Sequence, residues 1–186
     1  MENEINKALE ILQFGGVILY PTETVWGIGC DATNEAAVQL VHRIKKRDAN
    51  KSMILLLDDD RNLKRYVKEI PEVAWDLLDF SVKPTTIIYP EGVNLPKSVC
   101  ADDGTVAIRI TTSPFCQKLI SRLKRPIIST SANFSGEPTP TSFEDISSKL
   151  KEAVDHVVDL PNHKLEKEPS SIIKLGLTGE VAIIRK

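Results

Sequence analysis

Aromatic, cysteine and histidine residues are all scarce in this chain. Aromatic residues make up 5% of its 186 residues, and there are three cysteines and three histidines. The cysteines form no CxxC pair and the histidines no HxxxH pair, so we predict no metal site built from protein ligands. The odd number of cysteines favours small core residues in a reducing cytoplasm over a disulfide framework.

An excess of charge of one sign and long hydrophobic runs are also lacking. The chain has 24 basic and 26 acidic residues, a net charge of −2 and a pI near 6.0. This balance gives no general attraction to nucleic acids or anionic membranes, so either would need a local patch. No apolar run approaches a membrane span, and residues 1–7 lack the features of a signal peptide. We therefore predict one cytoplasmic domain over residues 1–186, without membrane contact.

The common nucleotide-binding motifs are absent, but the hydrophobic pattern is informative. Neither GxxxxGK[ST] nor GxGxxG occurs, so a nucleotide pocket would be of another kind. Strand-like runs alternate with helical ones, which predicts an α/β fold, and the closely spaced last strands predict antiparallel pairing. Helices are predicted at 4–14, from Thr33 or Asn34 to about 46, and at 61–68, 71–80, 114–124 and 143–150. Strands are predicted at 17–20, 53–57, 85–89, 105–110, 126–130, 154–160, 171–175 and 181–184, with a loop over 134–141.

The segment 16–29 indicates a pocket floor. Its apolar run stops at Pro21 and is followed by Thr22-Glu23-Thr24. A strand that served packing alone would not need two hydroxyls and a carboxylate at its end. Gly27 and Gly29 follow, and we expect them to leave room for a ligand close to the backbone.

A second segment of interest is the basic run 43–51, which holds five cations and one anion. Cations after a helix usually complement its dipole or form a solvated face, and this remains the default interpretation. That interpretation does not explain Lys51, which lies beyond the helix and just before a predicted strand. At a strand mouth, Lys45, Arg47 and Lys51 could instead neutralise a polyphosphate.

Polar residues end two further strands. Residues 129–133 read Ser129-Thr130-Ser131-Ala132-Asn133, which suits ligand binding but equally a capping turn. In 105–109, alternation puts Thr105 and Arg109 on one face of a strand. An inward arginine needs an anion, either Glu23 in a structural pair or a ligand carboxylate. The residues together predict a pocket for a ligand that carries phosphates and a carboxylate.

Several of these motifs together resemble the YrdC-like threonylcarbamoyl-AMP synthases, in their short form. The resemblance covers nearly the whole chain, with its motifs in family order. They are Pro21-Thr22-Glu23-Thr24-Val25-Trp26-Gly27-Ile28-Gly29, Lys45-x-Arg47 with Lys51, Val106-Ala107-Ile108-Arg109, Ser131-Ala132-Asn133 and Ser135-Gly136. The resemblance implies a YrdC/RibB-like fold with a twisted, mixed, largely antiparallel sheet flanked by helices. It also implies synthesis of threonylcarbamoyl-adenylate from L-threonine, bicarbonate or CO₂, and ATP, for tRNA modification.

The resemblance further implies roles for individual residues and partners. For L-threonine they are Thr24, Arg109, Ser131 and one of Ser170 and Ser171. For ATP they are Arg47, Lys51, Thr105, Asn133, Thr141 and Arg185, with Lys45 as a further phosphate contact and Lys45 and Arg47 as the catalytic cations. Mg²⁺ is expected to arrive with ATP, bound mainly by phosphate oxygens. The expected partners are threonylcarbamoyl-transfer proteins, with tRNA or double-stranded RNA as a further contact.

Three positions depart from the family pattern. Trp26 stands where the family commonly has Tyr, which implies altered stacking in the pocket. Asp48 and Ser52 replace a usual Pro and a usual Pro or Gly beside the basic motif. Alternative functions are an RNA-binding module that uses residues 43–51, a related carbamoyl-adenylate-forming domain, and an inert nucleotide binder.

Overall fold

The computed structural model describes residues 1–46, 53–160 and 169–186. Its helices are α1 (Glu2–Gln13), α2 (Glu35–Lys45), α3 (Val73–Phe80), α4 (Pro114–Leu123) and α5 (Ser148–Glu152), with a 3₁₀ helix at Asp60–Arg65. Its strands are β1 (Ile18–Pro21), β2 (Trp26–Gly29), β3 (Ile54–Leu57), β4 (Thr85–Tyr89), β5 (Val106–Ile110), β6 (Ile127–Ser131), β7 (His156–Val157), β8 (Ser171–Leu175) and β9 (Val181–Arg185). Among these described helices, none combines the length and apolarity that crossing a membrane requires.

The helix boundaries follow from local chemistry. Asn34 caps α2, since its side-chain oxygen accepts a 3.2 Å hydrogen bond from the Ala37 N–H. The same helix is capped at its C-terminus by Lys46, which adopts the left-handed conformation with φ of 50°. Ser113 caps α4 and Pro114 occupies its first turn, where the missing N–H costs nothing.

The described strands form one mixed sheet in the order β7-β1-β2-β6-β3-β5-β4-β8-β9. Five neighbouring pairs are antiparallel, and the three parallel pairs are β1 with β7, β3 with β5 and β4 with β8. The predicted α/β fold, with a mixed and largely antiparallel sheet between helices, is therefore confirmed. The predicted antiparallel pairing of the last two strands is also confirmed.

Alternation along the strands divides the core between the two faces of the sheet. In β3, Leu55 and Leu57 pack in the cluster that contains residues of α2 and α3. Leu56 points the other way, into the cluster formed with α1 and α4. The second cluster covers only part of its face, and the sheet continues past it through β5, β4, β8 and β9. The uncovered part of that face is the place available for a ligand.

The first hairpin differs from the sequence-based expectation. Residues 26–29 form β2, which pairs antiparallel with β1, whereas no strand was predicted there. Thr22 closes the turn, because its N–H and its hydroxyl both donate to the Val25 carbonyl oxygen. Two glycines in four residues obscured the strand, since glycine weakens the pattern on which a strand is recognised.

Gly29 is required by strand packing, which corrects the expectation that it makes room for a ligand. A Cβ atom at this position would overlap with the Ile128 carbonyl oxygen of the neighbouring strand β6. A Cβ at Gly27 would lie 3.2 Å from the Ser129 hydroxyl, a tight contact with a side chain that can rotate. The two glycines therefore have different functions.

We expect Gly29→Ala to lower the free energy of unfolding by at least about 2 kcal/mol, because β2 and β6 must separate to admit the methyl group. Urea unfolding followed by circular dichroism measures this. Gly27→Ala is the matched control in the same strand and should cost clearly less. Equal stability of the two variants would contradict the assigned role of Gly29.

Buried Glu4 ties α1 to the strand β7. Burial alone would raise the pKa of Glu4, but hydrogen bonds from Lys7, the Asp159 N–H and His156 outweigh it and lower the pKa to about 2. A carboxylate with a lowered pKa stabilises the fold above its unfolded pKa and loses this effect as the pH falls.

Glu4→Gln is therefore expected to destabilise the protein by about 1–2 kcal/mol at neutral pH. The difference from wild type should shrink as the pH falls from 4.5, the ordinary value, toward 2. Urea unfolding across this range measures it, with exposed Glu10→Gln on the same helix as control. A difference that persists at pH 2 would show that the ion pairs are not its cause.

Candidate functional site

A cavity of about 310 Å³ opens on the part of the sheet that α1 and α4 leave uncovered. Strands β2 to β6, β8 and β9 and the segments next to them supply its walls. Among the described residues that line it are Thr22, Thr24, Val25, Gly27, Met53, Ile54, Thr86, Ile88, Ala107, Arg109, Ser129, Thr130, Ser131, Thr139, Pro169, Ser170, Ile172 and Arg185. These residues include hydroxyls, apolar side chains and two cations, but no carboxylate.

Two guanidinium groups make the cavity suited to an anion. Arg109 is 4% exposed and lies on the interior strand β5, while Arg185 ends β9 at the edge of the sheet. Arg185 is held by the Ser170 carbonyl oxygen, to which its Nε donates at 2.8 Å. Burial, and then the nearby charge of Arg109, lowers the pKa of Arg185. A ligand anion between the two arginines would relieve this repulsion.

The sequence left Glu23 and a ligand carboxylate open as partners of Arg109, and the structure contains the Glu23 pair. Arg109 Nε lies 3.0 Å from Glu23 Oε1. The N–H is not directed at this oxygen, and neither atom has an aligned hydrogen bond among the described residues. The contact is therefore an ion pair without a directed hydrogen bond. The second Glu23 oxygen accepts a 2.8 Å hydrogen bond from Thr111.

The predicted threonine-binding hydroxyls converge on the cavity. Thr24 lines it and shares a 3.0 Å hydrogen bond with Thr22, and Ser131 lies at the end of β6. Of the two late serines, Ser170 lines the cavity and Ser171 is not among the lining residues. Alternation explains the difference, because Ser170 and Ile172 both line the cavity and Ser171 lies between them at the start of β8.

Thr86 is a cavity residue that the sequence-based search missed. Its hydroxyl is buried and shares a 2.8 Å hydrogen bond with Ser170. The available signal was its place in Thr85–Tyr89, where strict alternation puts Thr86 and Ile88 on the face opposite Ile87 and Tyr89. A threonine inside a predicted strand is too common to be recognised without its neighbours.

Lys45 and Asn133 lie behind the cavity wall and do not line it. Lys45 is 2% exposed and donates to the carbonyl oxygens of Ser131 and Asn133, the latter at 2.7 Å. The Asn133 amide donates to the Glu137 carbonyl oxygen at 2.7 Å, and its own oxygen accepts from the Ser131 hydroxyl at 2.5 Å. Both side chains therefore fix the loop that carries Ser131.

The remaining predicted ATP residues fall in two groups. Thr105 donates to Asp103 at 2.6 Å and Thr141 to Asp145 at 3.0 Å, and neither lines the cavity. Thr139 reaches the cavity from the loop that carries Thr141. Arg47 and Lys51, together with Asp48 and Ser52, lie outside the described residues.

Trp26 belongs to the core, so the expectation that it alters stacking in the pocket is wrong. Its ring lies 4.9 Å from the Phe143 ring at 48°, within the cluster on the opposite face of the sheet. Val25 and Gly27 line the cavity on either side of it. A strand directs neighbouring side chains to opposite faces, so Trp26 faces away from the ligand space.

Comparison with known proteins agrees with this geometry. The Sua5/YciO/YrdC family model, described as "Telomere recombination", matches residues 10–186. The chain is 36% identical over 183 residues to a threonylcarbamoyl-AMP synthase of Pseudoalteromonas translucida, with 97% of each chain covered. It is 35% identical over 161 residues to that of Stenotrophomonas maltophilia, with 85% of this chain and 87% of the relative covered.

Solved structures give the same relationship. P. abyssi Sua5 in complex with L-threonine is similar with a TM-score of 0.84 and 30% identity, over 94% of this chain and 52% of that one. The chain thus spans about half the length of this relative. E. coli YciO is similar with a TM-score of 0.85 and 27% identity, over 100% of this chain and 90% of that one. The protein belongs to the Sua5/YciO/YrdC family.

Proposed function

We propose that this protein is an L-threonylcarbamoyladenylate synthase. It would convert L-threonine, bicarbonate or CO₂, and ATP into threonylcarbamoyl-AMP and pyrophosphate, for the threonylcarbamoyladenosine modification of tRNA. The observation that carries the proposal is the convergence of Arg109, Thr24, Ser131 and Ser170 on one cavity. Relatives that match most of the chain carry this activity in their names, which supports the proposal.

The residues that line the cavity include a suitable partner for each chemical group of threonine. Arg109 would bind the carboxylate, since a guanidinium matches it with two parallel hydrogen bonds. The hydroxyls of Thr24, Ser131 and Ser170 would hold the amine and hydroxyl groups. The methyl group would pack against apolar side chains such as Ile88 and Ile172.

The cations would hold ATP and the leaving pyrophosphate. Arg185 lines the cavity from the edge strand β9, and we propose Arg47 and Lys51 as further phosphate contacts. Thr105, Asn133 and Thr141 would also contact ATP, after their observed hydrogen bonds rearrange. Mg²⁺ fits bound to phosphate oxygens, since the described lining residues offer hydroxyls and cations but no carboxylate.

The chemistry needs positioning and charge stabilisation, and no covalent nucleophile. The threonine amine would add to CO₂ and lose a proton to give a carbamate. A carbamate oxygen would then attack the α-phosphorus of ATP and displace pyrophosphate. The product would pass to threonylcarbamoyl-transfer proteins in the cytoplasm, where ATP and tRNA are found. RNA contact through residues 43–51 is an additional proposal.

We expect pyrophosphate release to require both L-threonine and bicarbonate. Arg109→Ala should lower kcat/KM for threonine about 100-fold, because a charge-assisted bidentate contact is lost. A coupled pyrophosphate assay measures both, with the exposed Arg122→Ala as the matched arginine control. Pyrophosphate release that proceeds without threonine would contradict the proposed function.

The variant Lys45→Met tests whether Lys45 holds the 131–133 loop in place or contacts a phosphate group. Its loss removes the Nζ donor from the carbonyl oxygens of Ser131 and Asn133, of which Ser131 keeps the Asn133 N–H. We therefore expect a loss of stability of about 2 kcal/mol, because charged hydrogen bonds to two carbonyl oxygens are lost. Thermal unfolding measures this, with the exposed Lys46→Met as control. Unchanged stability with lost ATP binding would assign Lys45 to ATP alone.

A further inference from the structure

Arg109 is held from behind by a carboxylate outside the described cavity lining. We propose that Glu23, itself held by Thr111, is a positioning residue that orients the Arg109 guanidinium toward the substrate carboxylate. This inference rests on the proposed function, because it needs a carboxylate bound at Arg109. Glu23 is the middle residue of the Thr22-Glu23-Thr24 segment, whose two threonines line the cavity.

Stability alone is a poor explanation for this pair. Glu23 is 9% exposed and Arg109 is 4% exposed, so both charges have been removed from water. Buried ion pairs often contribute no more stability than apolar residues of the same volume, because desolvation offsets their attraction. A requirement for a cation with a fixed orientation at the cavity explains why the pair is present.

The nitrogen atoms of the Arg109 guanidinium have two different partners. Glu23 Oε1 lies 3.0 Å from Nε, and Glu23 is not among the lining residues of the cavity. Arg109 also lines the cavity, so its two terminal Nη nitrogens are the donors left for a ligand. A carboxylate bound by two parallel N–H groups tolerates little rotation of the guanidinium plane. A fixed anion at Nε limits this rotation.

Thr111 gives Glu23 its own fixed position. The Thr111 hydroxyl accepts the Ser113 N–H at 3.2 Å, so its own proton is free to donate to Glu23 Oε2 at 2.8 Å. The Thr111 main chain is also fixed, because its N–H donates to the Leu57 carbonyl oxygen at 2.9 Å. Thr111 directly follows β5, the strand that carries Arg109. The chain from Thr111 through Glu23 to Arg109 is therefore anchored at the junction of β5 and α4.

The ion pair lacks an aligned hydrogen bond, and a bound ligand would supply the alignment. Arg109 Nε and Glu23 Oε1 are buried and close, yet the N–H does not point at the oxygen. Hydrogen bonds in free enzymes are often misaligned and tighten in the complex. A substrate carboxylate bound by the Nη groups would align the Nε–H with Glu23 Oε1, and Glu23 would then hold the guanidinium in that orientation.

The kinetic test compares Glu23→Gln, Thr111→Val and Thr111→Ser. Glu23→Gln should raise KM for threonine about 10-fold and Thr111→Val about 3-fold. Thr111→Ser keeps the hydroxyl and should resemble wild type. KM for ATP and kcat at saturating threonine should stay within about twofold, since only the orientation of Arg109 is affected. A general structural defect would change all three parameters.

A spectroscopic measurement tests alignment directly. In protein labelled with ¹⁵N-arginine, threonine should shift the Arg109 Nε–H resonance of wild type, identified by its absence in Arg109→Lys. The shift should be lost in Glu23→Gln. If Glu23→Gln does not fold, Thr111→Val provides the same measurement with Glu23 retained, and its shift should be reduced.

The outcomes separate this inference from the proposed function. Normal threonine binding in folded Glu23→Gln and Thr111→Val, with binding lost in Arg109→Ala, would overturn the positioning role and leave the function intact. Normal threonine binding in Arg109→Ala would overturn the proposed function itself. A threonine-specific loss in the Glu23 and Thr111 variants, restored in Thr111→Ser, would support the positioning role.

Discussion

The buried charge of Arg109 is the constraint on which the site depends. A cation in the middle of a sheet is tolerated only beside an anion, and Glu23 at the end of the first hairpin provides it. This requirement joins β5 to the turn between β1 and β2, two segments far apart in sequence. The same pairing fixes where Arg109 meets the cavity. The hydroxyls of Thr24 and Ser131 are arranged around it.

The cavity exists because helices cover one face of the sheet incompletely. On the α1 and α4 side, Leu56 and Ile127 are packed under helices, while Ile54 and Ser129 of the same strands line the cavity. Each of these two strands therefore contributes to the core at one end and to the cavity at the other. Arg185 of the edge strand β9 closes the far side, so the cavity depends on the last strand of the sheet.

Hydrogen bonds to the loop that follows β6 hold one wall of the cavity in place. Lys45 reaches from the end of α2 to the carbonyl oxygens of the 131–133 loop. The Asn133 amide secures the same loop from within. Residues predicted as ligand contacts thus include both side chains that meet the cavity and side chains that hold its wall. Residue type alone does not separate the two, because both tasks use hydrogen-bond donors and cations.

The alternation of apolar and polar residues, together with the turn-forming residues between the segments, determined most of the fold. The strands Thr85–Tyr89 and Ser171–Leu175 have their predicted bounds, since apolar β-branched residues specify them locally. The strand at 26–29 was missed, because glycines hide a pattern that only the neighbouring strand β6 makes necessary. Helix α5 begins later than predicted and β7 is shorter, as expected where few apolar residues define the ends.

By itself, the sequence determined the α/β class, the polar ends of the strands and the candidate residues of the site. Only the tertiary structure decided which of these meet. It selected Ser170 over Ser171, added Thr86, moved Trp26 into the core and paired Glu23 with Arg109. The physical reason is that a side chain's face is set by strand register and by what packs on that face. Both depend on contacts between segments that are distant along the chain.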